Sequence, residues 1–241
     1  MRRRGAALAA AATLLLSVAG CETTQEQSAK IGRALGKQSA VTSQTSLGSA
    51  SRAVHVKSTV VISSGGSGAV AVELTNTSAH AQVDFPILIN VADAAGKSVY
   101  ENNTKGIEPS LQQLTLLAPH ATTWWVDNEV LATAPKTVTA RVGASQDSAP
   151  ASIPQITTSK ASASASFPGP HVSATVTNRS KLAQRQLAVY AVILKGGRAV
   201  GAGRAVVASL AAGASTQVLI PVIGAISGST IALTSAPTTL H

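Results

Sequence analysis

The chain has 241 residues, and its 19 Lys and Arg against 10 Asp and Glu give a formal net charge of +9. Charged residues make up 12% of the sequence and aromatic residues 2%, while small apolar and hydroxyl side chains dominate, and that composition favours β-strands. The single cysteine excludes an internal disulfide, so stability must come from burial of an ordinary apolar core.

An export signal is predicted at the start of the chain. Three arginines at positions 2–4 precede an apolar run over residues 6–18, which is too short to cross a bilayer as a permanent helix. Residues 1–20 are therefore predicted to be a secretory signal peptide. Removal of its three arginines leaves 16 basic and 10 acidic residues, a net charge of +6.

The only cysteine, Cys21, directly follows this leader. The sequence Val18-Ala19-Gly20-Cys21 resembles the lipobox of bacterial lipoproteins. The resemblance implies that a lipid is attached to the Cys21 sulfur and that cleavage occurs just before it. Acyl chains contribute roughly 0.8 kcal/mol per buried CH₂, so several chains would anchor the protein at a membrane. The alternative is an ordinary cleaved signal followed by a free cysteine.

Residues 21–52 are predicted to form a flexible tether between this anchor and the folded part. The segment is rich in Gln, Ser, Thr and Ala and has few large apolar side chains. It cannot bury enough surface to offset the entropy lost on ordering.

The rest of the chain contains an internal repeat. The segment VAVELTNTS (residues 70–78) matches VSATVTNRS (172–180), and ILINVADAAGKSV (87–99) matches VYAVILKGGRAV (189–200). Further on, LLAPHAT (116–122) matches SLAAGAS (209–215), and KTVTARV (136–142) matches STIALTS (229–235). Four features recur in the same order, so we predict two copies of one unit.

Each unit is predicted to be an immunoglobulin-like β-sandwich. A unit has roughly 90 residues and about seven short alternating strands, the size and strand count typical of that fold. The Ser- and Pro-rich linker at 147–154 marks the boundary. The predicted organisation is all-β, with a first sandwich at 53–147, a second at 148–241, and no helix of ten or more residues in the folded part.

The order of these motifs resembles the FxLYD-type immunoglobulin-like domains of bacterial envelope proteins. The resemblance implies the sandwich fold and an envelope location. In the first unit the matching residues are Asn76, Val91, Asp93, Gly96, Lys97 and Val99. In the second unit they are Asn178, Ile193, Gly197, Arg198, Val200, Leu210 and Gly213.

The pair Trp124-Trp125 is the most informative aromatic feature. Neighbouring residues of a strand face opposite ways, and the equivalent residues of the second unit are Gln217 and Val218. Trp125 is therefore predicted to pack inward and Trp124 to face outward. Two interpretations stay open for Trp124: a neighbouring loop covers it, or it anchors a partner protein.

Charge is distributed unevenly between the two units. Residues 52–147 carry six basic and eight acidic side chains, whereas residues 148–241 carry seven basic side chains and no acidic one. Arg179, Lys181 and Arg185 lie close in sequence and are predicted to form one basic patch. We expect it to face anionic envelope material, such as lipid headgroups or an acidic wall polymer. Nucleic acid would suit the charge, but the export signal argues against it.

No catalytic, metal or cofactor site is predicted. The five histidines are scattered, and no nucleophile elbow or phosphate-binding glycine loop is present. Three segments match the N-glycosylation pattern and begin at Asn76, Asn102 and Asn178. Asparagine followed by small polar residues is also typical of turns, and we prefer the turn interpretation.

The sequence thus predicts an exported, lipid-anchored protein of the bacterial cell envelope, periplasmic or surface-facing, with a non-catalytic binding or scaffolding role. The main alternative is a small-ligand carrier or transporter accessory with a pocket between the two domains. An envelope hydrolase with an unrecognised site is a third possibility.

Overall fold

The fold is known from a computed structural model that describes residues 46–104, 106–227 and 230–241. The predicted signal peptide, Cys21 and all but the last residues of the predicted tether lie outside these ranges. The described residues form strands and one turn of 3₁₀ helix, Pro109–Leu111, with no α-helix among them. The predicted all-β class is confirmed.

The first half is a sandwich of two antiparallel sheets. One sheet has the order β1-β2-β6; in the other, the long strand β3 pairs with β4 and β5, and also with β7. The strands are β1 (Val54–Ser64), β2 (Ser67–Asn76), β3 (Gln82–Ala92), β4 (Ser98–Glu101), β5 (Gln113–Leu117), β6 (Thr122–Val130) and β7 (Thr137–Val142).

The second half has the strand order β13-β10-β11-β12-β9-β8. Strand β12 pairs with β9 along its first part and with β11 along its last part, so it passes from one layer of the sandwich to the other. The strands are β8 (Ile156–Ser164), β9 (His171–Asn178), β10 (Gln184–Lys195), β11 (Arg198–Leu210), β12 (Ser215–Gly224) and β13 (Thr230–Thr234).

The two halves have the same topology. Strands β1, β2 and β6 correspond to β8, β9 and β12, while β3 and β7 correspond to β10 and β13. The pairing register also agrees, because Trp124 lies opposite Glu73 and its counterpart Gln217 lies opposite Thr175. The main difference is β11, one long strand where the first half has β4, the 3₁₀ turn and β5.

A buried asparagine ties the strand ends together in the first half. The Nδ2 of Asn76 donates to the carbonyl oxygens of His80, Leu117 and Ala118 at 2.8, 3.2 and 3.0 Å. Its Oδ1 accepts hydrogen bonds from the backbone N–H and the hydroxyl of Ser78 at 3.0 and 2.8 Å. One side chain thereby joins the β2–β3 loop to the turn that follows β5.

The second half repeats this arrangement. Asn178 donates to the carbonyls of Leu182, Leu210 and Ala211 at 2.7, 3.2 and 3.1 Å, and accepts from Ser180. Asn76 and Asn178 are 1% and 0% exposed. The repeated Thr-Asn-x-Ser motif therefore has a structural explanation in turn chemistry, as the sequence analysis preferred.

The two halves pack sheet against sheet. Ala188, Tyr190 and Val192 of β10 join the apolar cluster of the first half, whereas Leu187 and Val189, which alternate with them, belong to the second core. Strand β10 is therefore buried on both faces. All described strand pairs nevertheless lie within one half or the other, and the domain boundary at 147/148 stays a prediction.

We expect Asn178→Ala to lower the free energy of unfolding by about 3 kcal/mol, because a fully buried side chain that donates to three carbonyl groups and accepts from Ser180 is lost. Urea denaturation followed by circular dichroism measures the change. The exposed Gln217→Ala serves as a control and should stay within about 0.5 kcal/mol of the parent. An equal effect of the two substitutions would contradict the structural role of Asn178.

Candidate functional site

The predicted basic residues Arg179, Lys181 and Arg185 are all exposed, and we call them the basic cluster. Arg179 and Lys181 lie in the turn between β9 and β10, and Arg185 is the second residue of β10. The Nε of Arg179 donates to Thr157 Oγ1 at 3.3 Å, which orients this guanidinium along the start of β8. The three cations thus lie at one end of the second half.

Other exposed cations of the second half lie elsewhere. Lys195 and Arg198 flank the β10–β11 hairpin turn and are exposed. Lys195 lies ten positions after Arg185 on β10, a distance of roughly 33 Å along a strand. The positive charge is therefore divided between opposite ends of the sandwich.

Trp125 packs inward, as predicted. It is fully buried, and its Nε1 donates to the carbonyl of Ser110 at 3.1 Å. Trp124 lies on the outer face of the sheet, where it is half-buried and packs against the apolar cluster shared by both halves. Its backbone oxygen accepts a hydrogen bond from Thr234 Oγ1 of β13 at 2.8 Å. The second half therefore lies beside this tryptophan, and its role in partner binding stays a prediction.

An ion pair joins the two halves at their junction. Arg204 Nη2 of β11 lies 2.6 Å from Glu108 Oε1, and the same nitrogen donates to the hydroxyl of Ser110. The Arg204 side chain is 5% exposed and that of Glu108 is 39% exposed. Burial alone would raise the pKa of Glu108, but the hydrogen bonds from Ser110 and Arg204 and the positive charge of Arg204 lower it overall.

The pair could not be predicted from the sequence, because its members lie 96 positions apart. By sequence, Arg204 is one of seven basic residues of the second half. Arg204 lies among small and apolar residues of a predicted strand, which indicates burial, and buried arginines are nearly always paired with an acid. The sequence gives no indication of which acid is the partner.

A buried carboxyl lies near this junction in the first half. Asp127 is 0% exposed and accepts a hydrogen bond from the Tyr100 hydroxyl at 2.7 Å. Burial raises the pKa of Asp127 to about 6, although hydrogen bonds from Tyr100 and from the backbone of Glu129 oppose the shift. Burial and the negative charge of Asp127 also raise the pKa of Tyr100.

An open groove of about 510 Å³ lies where the two halves meet. Its walls come from the end of β5 and the start of β6 in the first half, and from the linker, β8 and the end of β13 in the second. Apolar and hydroxyl side chains and the amide of Gln155 line it, among them Leu116, Thr123, Ile153, Thr158 and Leu233. The lining contains no charged side chain.

Two further features of the described residues bear on function. They contain no group of three His, Cys, Asp or Glu side chains placed to bind a metal ion. Within the same ranges, no helix has the length and hydropathy needed to cross a bilayer.

No protein-family model and no curated protein matches the chain.

The ion pair leads to an asymmetric prediction. Glu108→Ala should lower the free energy of unfolding by about 3 kcal/mol, because it leaves the buried guanidinium of Arg204 unpaired. Arg204→Met should cost less than half of that, since the half-exposed carboxylate of Glu108 that it leaves is hydrated.

Urea denaturation measures the loss of stability in both variants. Lys57→Ala, in the exposed Lys57–Glu73 pair, is the control and should change stability by less than about 1 kcal/mol; a larger loss for Arg204→Met than for Glu108→Ala would refute the explanation.

Asp127 gives a pH dependence. Its folded-state pKa of about 6 lies above the ordinary value of 3.8, so folding favours the protonated form. The protonated carboxyl therefore contributes to the free energy of unfolding. That contribution is fully present below pH 3.8, the pKa of the unfolded chain, and is lost as the pH rises through about 6. In Asp127→Asn, the amide oxygen accepts from the N–H of Glu129 and the amide nitrogen donates to the Tyr100 hydroxyl oxygen, so both contacts are kept. The variant should be more stable than the parent at pH 7.5 by about 3 kcal/mol, with the difference vanishing near pH 4.

Urea denaturation from pH 4 to 7.5 tests this prediction. The control is Glu101→Gln, an exposed carboxylate that does not act on Asp127, and it should retain the pH dependence of the parent. A stability difference between Asp127→Asn and the parent that does not vary with pH would show that Asp127 ionises normally.

Proposed function

We propose that the chain is a lipid-anchored protein of the bacterial cell envelope that binds or spaces other envelope components without catalysis. The lipobox-like sequence ending at Cys21 supports the anchor, and the leader of residues 1–20 supports export. The likeness to FxLYD-type domains is part of this proposal. The tandem sandwiches would present two linked binding surfaces outside the cytosol.

The observation that carries the binding role is the charge of the second half. It contains no acidic residue, and six of its seven cations are exposed. The seventh, Arg204, is buried against Glu108. A surface with only positive charge attracts anionic material, such as lipid headgroups or an acidic wall polymer, at the ionic strength of the envelope.

A carrier of small ligands is the second candidate. The 510 Å³ groove at the junction of the halves favours it, because clefts of this size between domains commonly hold ligands. The lining of apolar and hydroxyl side chains would suit an uncharged, largely apolar molecule. The groove is open and has no charged group to orient a ligand, so the binding or scaffolding role is the better supported of the two.

The anchor is tested by Cys21→Ala. The variant should move from the membrane fraction to the soluble fraction of fractionated cells and should lose incorporation of labelled fatty acid, because no other residue offers the thiol for lipidation. Glu22→Gln, at the next position, is the matched control and should stay in the membrane fraction. Retention of Cys21→Ala in membranes would show that the chain is held there by something else.

A further inference from the structure

The two halves point the same way, so the structure has two distinct ends. We call the end at which β3 and β10 begin the entry end, and the opposite one the far end. Leu117 pairs with Gln82, the first residue of β3, and therefore marks the entry end of the first half. Ile156, the first residue of β8, pairs with Asn178 and marks the entry end of the second half. Both Leu117 and Ile156 line the junction groove, so the two entry ends lie together. At the far end, Gly224 ends β12 and lies so close to Ile62, near the end of β1, that a side chain at position 224 would collide with it. The far ends of the two halves therefore also lie together.

The described part of the chain begins at the entry end. Ser51 donates to the carbonyl of Val142, and Ser49 accepts from the N–H of Ala144, so this segment runs antiparallel to the residues that follow β7. Those residues continue toward the start of β3, where the N–H of Gln146 donates to Val83. The first described residues, 46–49, therefore lie toward the entry end.

The basic cluster lies at the same end. Asn178 and Gln184 bracket the turn that carries Arg179 and Lys181, and Arg185 directly follows it. All three side chains are exposed, and the half to which they belong has no acidic residue. Asp84 and Asp147 also lie toward this end, but both belong to the first half. Burial of Asp84, together with repulsion from Asp147, raises the pKa of Asp84.

We propose that the entry end is the membrane-facing end, and that the basic cluster docks on anionic lipid headgroups of the bilayer that holds the anchor. This inference rests on the proposed lipid anchor. An anchored chain has a high effective concentration at its own membrane, so the attraction of three cations is enough to select one orientation. The far end, with the fully exposed Phe167 in the β8–β9 loop, then faces away from the bilayer.

Lipid headgroups are favoured over a wall polymer because the cations lie at the end where the chain enters. A polymer at a distance from the membrane would be met more readily by Lys195 and Arg198 at the far end. The same division of charge supplies a matched control, since cations at both ends are exposed and can be neutralised without loss of packing.

The test uses the full chain with its own lipid, inserted into vesicles of 70% phosphatidylethanolamine and 30% phosphatidylglycerol. A dye at Ala183→Cys reports the entry end, and a dye at Phe167→Cys reports the far end; both positions are exposed. Energy transfer to an acceptor on the lipid headgroups measures the distance of each end from the bilayer. Transfer should be greater from position 183 and should fall in high salt.

The substitutions Arg179→Gln, Lys181→Gln and Arg185→Gln, made together, should lower the ratio of docked to undocked molecules by at least about tenfold. Lys195→Gln with Arg198→Gln should leave that ratio unchanged. Greater transfer from position 167, or an equal loss in both sets of variants, would overturn the proposal. Binding of the cluster to purified wall polymer, with no docking on vesicles, would assign it to the polymer instead and also overturn it.

Failure of the anchor gives a different result. If Cys21 carries no lipid, the protein does not remain with the vesicles after washing in high salt, and neither dye transfers energy. That outcome refutes the proposed function. A chain that remains with the vesicles but gives equal energy transfer from positions 183 and 167 refutes only the docking of the basic cluster.

Discussion

Burial of both faces of β10 is the constraint on which the rest of the structure depends. One face completes the core of the second half, and the other packs on the outer face of the β1-β2-β6 sheet. A strand flanked by apolar layers on both sides cannot be displaced without exposing both. The stacking of the halves, the position of Trp124 and the pairing of Arg204 with Glu108 all follow from this arrangement.

Sheet-on-sheet packing also explains which polar groups lie at the junction. Close contact is achieved with small residues such as Ala71 and Ala202, both fully buried. Where the apolar contact ends, Arg204 extends from β11 to the loop before β5, and the same loop accepts a hydrogen bond from Trp125. One loop of the first half thus connects its own core with the second half.

The buried asparagines have a different role, which is local and occurs once in each half. Asn76 and Asn178 each donate to carbonyl groups of two separate loops or turns, and they tie the loops of the entry end together. The turn after Asn178 carries Arg179 and Lys181, whose side chains are exposed. A structural motif and a proposed binding surface therefore lie side by side. The motif occurs in both halves, whereas the three cations occur only in the second.

The sequence by itself determined the all-β class, the repeat with its register, the inward position of Trp125 and the exposure of the basic cluster, because alternation and turn chemistry act over a few residues. Only the tertiary structure decided what covers Trp124 and which acid pairs with Arg204, since those contacts join residues far apart in the chain. The unbroken apolar run of residues 187–194 did carry a signal of burial on both faces. It did not name the surface that covers the second face, because apolar packing is non-directional and leaves no pattern that identifies its partner.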